Sequence, residues 1–235
     1  DPRTGMALAA NVPVTNGHRL EAELGEALGR AVRVANDADC FALAEATVGA
    51  GRGQSVVFGV IMGSGVGGGL VVDGRIVRGT TGVAGEWGHG PVLADACAMR
   101  GVPPILCGCG LYGCVDAACS ARGLEKTYQA QSGGALSSDE ITAAWHAGDD
   151  KATRAVDTLV ALISGPLAMV VNTVGAGLVP VGGGLAGDAR LIAAIDAAVR
   201  KGTLHRFDEP LVVQGETRAA AGLIGAAMLV DPVAP

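Results

Sequence analysis

Apolar residues recur three and four apart over residues 19–30 (RLEAELGEALGR), where Leu20, Leu24, Ala27 and Leu28 share one helical face. The apolar run VRVAN then predicts a strand, and DADCFALAEATVGAG a helix, so residues 32–51 read as strand, turn and helix. A second strand is expected over residues 55–62 (SVVFGVIM), followed by the loop GSGVGGG and the hairpin LVVDGRIV, whose Asp-Gly pair favours a type I′ turn. Beyond the glycine- and cysteine-rich middle, helical patterns cover residues near 116–130, 138–147 and 150–174. The strand GLVPV, a Gly-Gly-Gly loop, a helix from Asp188 to Lys201, the strand PLVV and a last helix near 218–230 complete the order. Hairpins mixed with crossover helices predict an α/β layer architecture.

The charge-free stretch from residue 159 to 187 is long enough to span a bilayer. Pro166, Asn172, Pro180 and seven glycines divide it into a buried helix and a strand instead, so no membrane segment is expected. The 235 residues are 49% hydrophobic and 17% charged, which excludes disorder and coiled coil. A net charge of −6 opposes binding to a phosphate backbone. Six cysteines, three of them within CGCGLYGC, suit a reducing cytoplasm better than a disulfide framework.

That cysteine run carries the sharpest chemistry. Cys107, Cys109 and Cys114 place three thiolates on a tight glycine-rich knuckle, and His89 in EWGHG completes a set of four ligands for a closed, structural Zn²⁺. Cys40, Cys97 and Cys119 fit no further ligand spacing and read as small core or surface residues. The loop Gly63, Ser64, Gly65, Val66, Gly67, Gly68 and Gly69 can either point amides at an anion or serve as a glycine turn between paired strands. Gly182, Gly183 and Gly184 sit at a strand-to-helix turn, where nucleotides bind in α/β sheets. Asp37 is either a helix N-cap or, with Asn36, a pair that holds two hydroxyls of a polyol and leaves one proton to abstract. Glu86 is either a solvated turn residue or a second acceptor beside the proposed zinc, whose histidine ligand keeps one ring N–H for a sugar hydroxyl.

Taken together, AND at 35–37, GSGVGGG, GEWGH at 85–89, CGCGLYGC and VGGG at 181–184 resemble the ROK family of bacterial sugar kinases and repressors, over essentially the whole chain. ANDADCFALAEA with AANVP looks most like its N-acetylglucosamine kinase members. The resemblance implies the actin-like ATPase fold with ribonuclease-H-like lobes, and transfer of phosphate from ATP with Mg²⁺ to the 6-hydroxyl of a hexose or N-acetylhexosamine. It implies Asp37 as general base, with Asn11, Asn36, Asp37, Glu86, His89 and Asp116 as sugar ligands, and Gly63–Gly69 and Gly182–Gly184 as the phosphate and adenosine motifs. Asp116 stands where the family has a glutamate, one methylene longer. A homodimer is expected.

The family's first phosphate motif, Asp-x-Gly-Gly-Thr, does not occur in these residues. The expectation is therefore a chain that begins about a hundred residues late, judged from a lobe's usual size, by a cut or by degeneration of the gene. Residues 1–36 would be the end of the amino-terminal lobe and residues 37–235 the carboxy-terminal lobe, with the knuckle at 89–114. Such a chain is expected to be inactive alone. Two alternatives remain: the sugar-binding lobe of a ROK repressor, with a helix-turn-helix upstream, or an inactive sugar-binding fragment.

Overall fold

The structure is a computed structural model that describes residues 1–9, 12–217 and 220–229. Asn11 lies outside the described residues. One mixed sheet organises the rest. Strands β1 (Val56–Met62), β2 (Val66–Val72), β3 (Arg75–Ile76), β4 (Val179–Gly182) and β5 (Val212–Gln214) lie in the order β3-β2-β1-β4-β5. β2 pairs antiparallel with β1 and β3, while β4 runs parallel to β1 and β5. The Asp73–Gly74 turn between β2 and β3 has positive φ at both residues, as a type I′ hairpin requires.

Helix α1 (Leu20–Leu28) forms as expected, but none of its residues is buried. Indeed no described residue before Ala38 is buried. Helix α2 (Asp37–Val48) is buried on all sides, with every residue from Ala38 to Glu45 buried, because it lies between the sheet and α9 (Ala221–Met228). The other face of the sheet carries α7 (Asp150–Val174) and α8 (Ala189–Gly202), with α5 (Ala121–Ser132) and α6 (Ser138–His146) packed outside α7. Alternation along β1 divides the cores. Phe58, Val60 and Met62 join the large cluster with Leu159, Leu162 and Ile195, whereas Val57 packs with Ala42 and Leu43 of α2.

Three glycines decide how closely α2 lies on the sheet. A Cβ on Gly59 would come within 2.7 Å of Ala42 Cβ, on Gly69 within 2.6 Å of the Ala38 carbonyl oxygen, and on Gly182 within 2.6 Å of Phe41. On the helix's outer side Gly225 of α9 abuts the Cys40 backbone. In β2, Gly67 and Gly69 thus admit the helix and Gly68 admits Trp87 on the opposite face, and only Gly63–Gly65 form a turn. The expected seven-residue loop is corrected accordingly: Val66, Gly67, Gly68 and Gly69 are strand residues paired with Met62, Ile61, Val60 and Gly59.

Two further expectations are corrected. Residues 31–36 run outside the sheet, because the Val34 N–H donates to Glu21 Oε1 at 2.8 Å and its carbonyl accepts from Arg78, which leaves no ladder bonds for a strand there. Short helix α3 (Ala94–Met99) precedes the cysteine run where no helix was expected, and the helical pattern near 116–130 divides at Cys119–Ser120 into α4 (Val115–Ala118) and α5. The apolar stretch at 159–187 divides as expected: α7 ends at Val174 and β4 begins at Val179. Among the described residues α7 is the one helix long and apolar enough to cross a membrane, and half of its most apolar window is buried in the protein.

Replacing Gly59 by Val forces α2 off the sheet. The expected result is a loss of about 1–3 kcal/mol in urea unfolding, and an unchanged midpoint would show that the helix rides outward without cost.

Candidate functional site

The carboxyl ends of β1 and β4, paired side by side, put the two glycine turns next to each other. A Cβ on Gly63 would lie 3.9 Å from the Gly184 amide nitrogen. The Gly63 N–H donates to the Gly65 carbonyl at 2.9 Å and its own carbonyl accepts from the Ala121 N–H, so the turn is closed and tied to the start of α5. Gly183 has φ +89° and presses on Met62, a backbone that a side chain would not tolerate. Gly182 is the last residue of β4, and Gly184 opens a short 3₁₀ turn through Gly187.

The amino end of α2 lies over the same end of the sheet, since Gly67 and Gly69 face Ala38. Asn36, not Asp37, is the N-cap: its Oδ1 accepts from the Ala38 N–H at 2.8 Å. Asp37 is the first helical residue and is exposed, with Oδ1 also on the Ala38 N–H at 2.9 Å. The Asn36 amide reaches Glu86 Oε1 at 3.4 Å, and Glu86 Oε2 faces His89 Nε2 at 3.4 Å. Asn36, Glu86 and His89 thus form one chain of polar groups, donor, acceptor and donor, with Asp37 the next residue along the backbone, an arrangement suited to the hydroxyls of a small polyol. Glu86 and His89 sit one turn apart because the Glu86 carbonyl accepts from the His89 N–H.

His89 turns its other nitrogen into the cysteine knuckle. Nδ1 lies 3.5 Å from Cys107 Sγ, Cys109 Sγ lies 3.6 Å from Cys114 Sγ, and all four donor atoms fall within 4.8 Å of one another. A tetrahedral centre with sulfur about 2.3 Å away has edges of about 3.8 Å, so this donor set fits a zinc-sized ion. The backbone closes through Cys107 N–H to the Leu111 carbonyl and Gly110 N–H to the Cys107 carbonyl, with positive φ at Gly110 and Gly113. Burial raises the Cys109 thiol, but hydrogen bonds from the Leu111 amide and from Cys107, Cys114 and His89 outweigh it and bring the group down to about 7. Burial pushes the Cys114 thiol up. Cys40, Cys97 and Cys119 lie outside this cluster, as expected, and all three are buried free thiols of the core.

Asp116 is placed differently from the sugar group. Its Oδ1 accepts from the Val66 N–H at 2.7 Å, its Oδ2 accepts from the Cys107 thiol at 3.2 Å, and its N–H donates to the Gly88 carbonyl at 2.9 Å. Both oxygens are engaged, and the residue ties the knuckle to the Gly63–Gly65 turn. Gly65 is required there, because a Cβ would collide with that carboxylate.

Three residues escaped the sequence reading. Trp87 donates to the Gly67 carbonyl at 3.2 Å and stacks edge-on against Phe58, 6.0 Å between centroids, which fixes the loop carrying Glu86 and His89. Glu45 is fully buried and accepts from the Ala50, Glu216 and Thr217 N–H groups and the Thr217 hydroxyl, pinning the loop after β5 to α2. Asp39 is buried with one oxygen unpartnered. The signal for both acids was available: carboxylates at Asp39 and Glu45 interrupt a helix that is otherwise apolar.

The profile described as ROK family matches residues 1–232. The chain is 35% identical over 228 residues to the N-acetylgalactosamine kinase AgaK of Shewanella sp. ANA-3, covering 96% of this chain and 73% of that one. It is 36% identical over 227 residues to the N-acetyl-D-glucosamine kinase of Pectobacterium atrosepticum, covering 96% and 75%. The ROK hexokinase of Thermus thermophilus superimposes with a TM-score of 0.80 at 34% identity, over 96% of this chain and 73% of that one. With its mixed α/β sheet in the actin-like ATPase arrangement of these kinases and a family match from end to end, the chain belongs to the ROK family.

Proposed function

We propose that this chain binds a hexose, with N-acetyl-D-glucosamine the first candidate, and contributes the base and the sugar ligands for phosphorylation of its 6-hydroxyl by ATP. One observation carries the reading: Asn36, Asp37, Glu86 and His89 converge beside the adjoining turns at Gly63–Gly65 and Gly182–Gly184, at the carboxyl ends of paired parallel strands. The relatives named above as kinases of N-acetylglucosamine and N-acetylgalactosamine favour an N-acetylhexosamine over glucose.

Each group has a distinct task. Asp37 keeps one carboxylate oxygen off the helix and accepts the 6-hydroxyl proton, while the Asn36 amide and Glu86 hold neighbouring hydroxyls. Because phosphoryl transfer is mostly positioning and charge neutralisation, amides at the two glycine turns and the Mg²⁺ carried with ATP supply the rest. Asp116 serves as the strut between knuckle and turn, with Oδ1 accepting from the Val66 N–H and Oδ2 lying against Cys107. His89, Cys107, Cys109 and Cys114 hold one zinc, a closed structural ion that stabilises the knuckle and offers no catalytic water. With Nδ1 on the knuckle side, His89 presents Nε2–H to Glu86 and fixes that carboxylate toward the sugar.

The zinc is tested by elemental analysis, which should return one zinc per chain, lost in Cys109→Ser. Metal-replete protein without zinc would sink that assignment. For the sugar, titration calorimetry should detect N-acetyl-D-glucosamine more tightly than glucose, and Glu86→Ala should weaken binding by at least about tenfold, the cost of a lost charge-assisted hydrogen bond. Equal affinity in the variant would refute the site.

Transfer needs a second phosphate clamp, and these 235 residues contain no Asp-x-Gly-Gly-Thr turn. A coupled ADP-release assay with ATP, Mg²⁺ and N-acetylglucosamine is therefore expected to show no turnover by the chain alone. A fusion that places a family lobe bearing that turn ahead of Asp1 should turn over. In that fusion Asp37→Asn should lower kcat by about a hundredfold or more without loss of sugar affinity. Full turnover by the asparagine variant would return Asp37 to a purely structural role.

A further inference from the structure

Val66 begins β2 directly after the turn at Gly63–Gly65, and its N–H donates to Asp116 Oδ1 at 2.7 Å. Within the turn the Gly63 N–H donates to the Gly65 carbonyl at 2.9 Å. The Ser64 and Gly65 N–H groups have no hydrogen-bond partner among the described residues, and Ser64 is exposed. Protein acceptors thus take the first and last amides of the run from Gly63 to Val66 and leave the middle two open, an arrangement that can receive an anion. The carboxylate is fixed from behind. The Asp116 N–H donates to the Gly88 carbonyl at 2.9 Å, and the neighbouring Val115 is fully buried. On the turn side, a Cβ on Gly65 would collide with Asp116 Oδ1, and one on Gly88 with the Val66 carbonyl oxygen. The loop that carries Glu86 and His89 and the exit of the glycine turn therefore meet at Asp116.

We propose that Asp116 is a positioning residue for the nucleotide: by holding the Val66 amide it fixes the turn at Gly63–Gly65 with the Ser64 and Gly65 N–H groups free for a phosphate group, and it does not ligate the sugar. The consequence for the nucleotide rests on the function proposed above; the consequence for the turn does not. The family resemblance implies a sugar contact at this position, where the family has a glutamate. With its backbone held at Gly88 and Oδ1 on Val66, the shorter aspartate keeps its carboxylate at the turn instead.

The two oxygens of Asp116 differ in what they need. The contact of Oδ2 with Cys107 at 3.2 Å requires a thiol proton, which a cysteine that holds zinc has given up. The Oδ1 bond to the Val66 N–H requires only an acceptor, so it stands in either metal state. Charge and position also oppose each other here. A carboxylate beside the open amides repels an incoming phosphate, while its hydrogen bond holds those amides in place. Asparagine separates the two effects, because its carbonyl oxygen accepts from the Val66 N–H without carrying the charge.

The experiment compares the 235-residue protein with Asp116→Ala, Asp116→Asn and Gly65→Ala. Hydrogen exchange at the Val66 amide should quicken about tenfold or more in Asp116→Ala, the scale of one lost charge-assisted hydrogen bond, and stay near wild type in Asp116→Asn. Gly65→Ala should quicken it as well, because the added methyl displaces the carboxylate without removing it, and should keep the proposal testable if Asp116→Ala does not fold. With MgADP as probe in titration calorimetry, Asp116→Ala should bind about three- to tenfold more weakly than wild type, and Asp116→Asn at least as tightly. Both Asp116 variants should bind N-acetyl-D-glucosamine as wild type does. Unchanged Val66 exchange in Asp116→Ala and Gly65→Ala overturns the proposal. So does an alanine variant that loses sugar affinity and keeps its affinity for MgADP, which would make Asp116 a sugar ligand. Should wild type bind no MgADP, the phosphate reading of the turn fails and the nucleotide role with it, while Val66 exchange still decides whether Asp116 holds the turn.

Discussion

The distance between α2 and the sheet is the constraint on which the rest of the site depends. Gly59, Gly69 and Gly182 leave no side chain at the points where Ala42, Ala38 and Phe41 press on β1, β2 and β4, so the helix lies on the sheet at contact distance there. That depth brings the amino end of α2 level with the carboxyl ends of β1 and β4. Asn36 and Asp37 then stand beside the turns at Gly63 and Gly182–Gly184 rather than above them. A helix one side chain further out would keep the same capping bonds but lift the carboxylate away from the turns by several ångströms. α9 closes the outer side through Gly225, so the helix has no room to retreat.

A second set of contacts makes the knuckle part of the site. His89 looks two ways, Nδ1 toward Cys107 and Nε2 toward Glu86. Asp116 also looks two ways, toward the Cys107 thiol and toward the Val66 N–H at the edge of the glycine turn. Through these two residues a folded knuckle positions both a sugar-facing carboxylate and a phosphate-facing turn, neither of which has a rigid element of its own. Trp87, held between Phe58 and the Gly67 carbonyl, gives the same loop an apolar anchor. The long glycine-rich stretch from 79 to 93, which has no helix or strand, is thus fixed by side chains.

Helix α2 carries two buried acids with opposite treatment. Glu45 receives four donors and fastens the loop after β5, so its charge is compensated and it acts as a structural clamp. Asp39, two turns earlier, has an unsatisfied oxygen and like charges nearby. The clamp lies at the end of the helix remote from Asn36, and the uncompensated carboxylate lies near it. Stability is concentrated at one end and relinquished at the other, the distribution expected where a backbone must hold functional groups in place.

Local period, turn chemistry and short spacing were enough for most strands and helices after residue 55, though not for α3 or the start of β2, and for the full extent of α7, the Asp73–Gly74 hairpin and the clustering of four donors in the knuckle. The sequence by itself also brought AND, GEWGH and the two glycine clusters to notice as places for chemistry. Tertiary structure decided what a one-dimensional pattern does not encode. VRVAN has strand composition but no strand partner, since β3 ends the sheet and Glu21 and Arg78 occupy the Val34 backbone. Four residues of the expected glycine loop belong to β2, because a glycine that admits a helix and a glycine that frames an anion are the same letter. Capping passed to Asn36, the adjacent residue with the extended backbone an N-cap needs, and Asp116 turned to the knuckle because Gly65 left room for its carboxylate. In each case the outcome depended on a partner distant in sequence, and the energy of that contact outweighed the local preference.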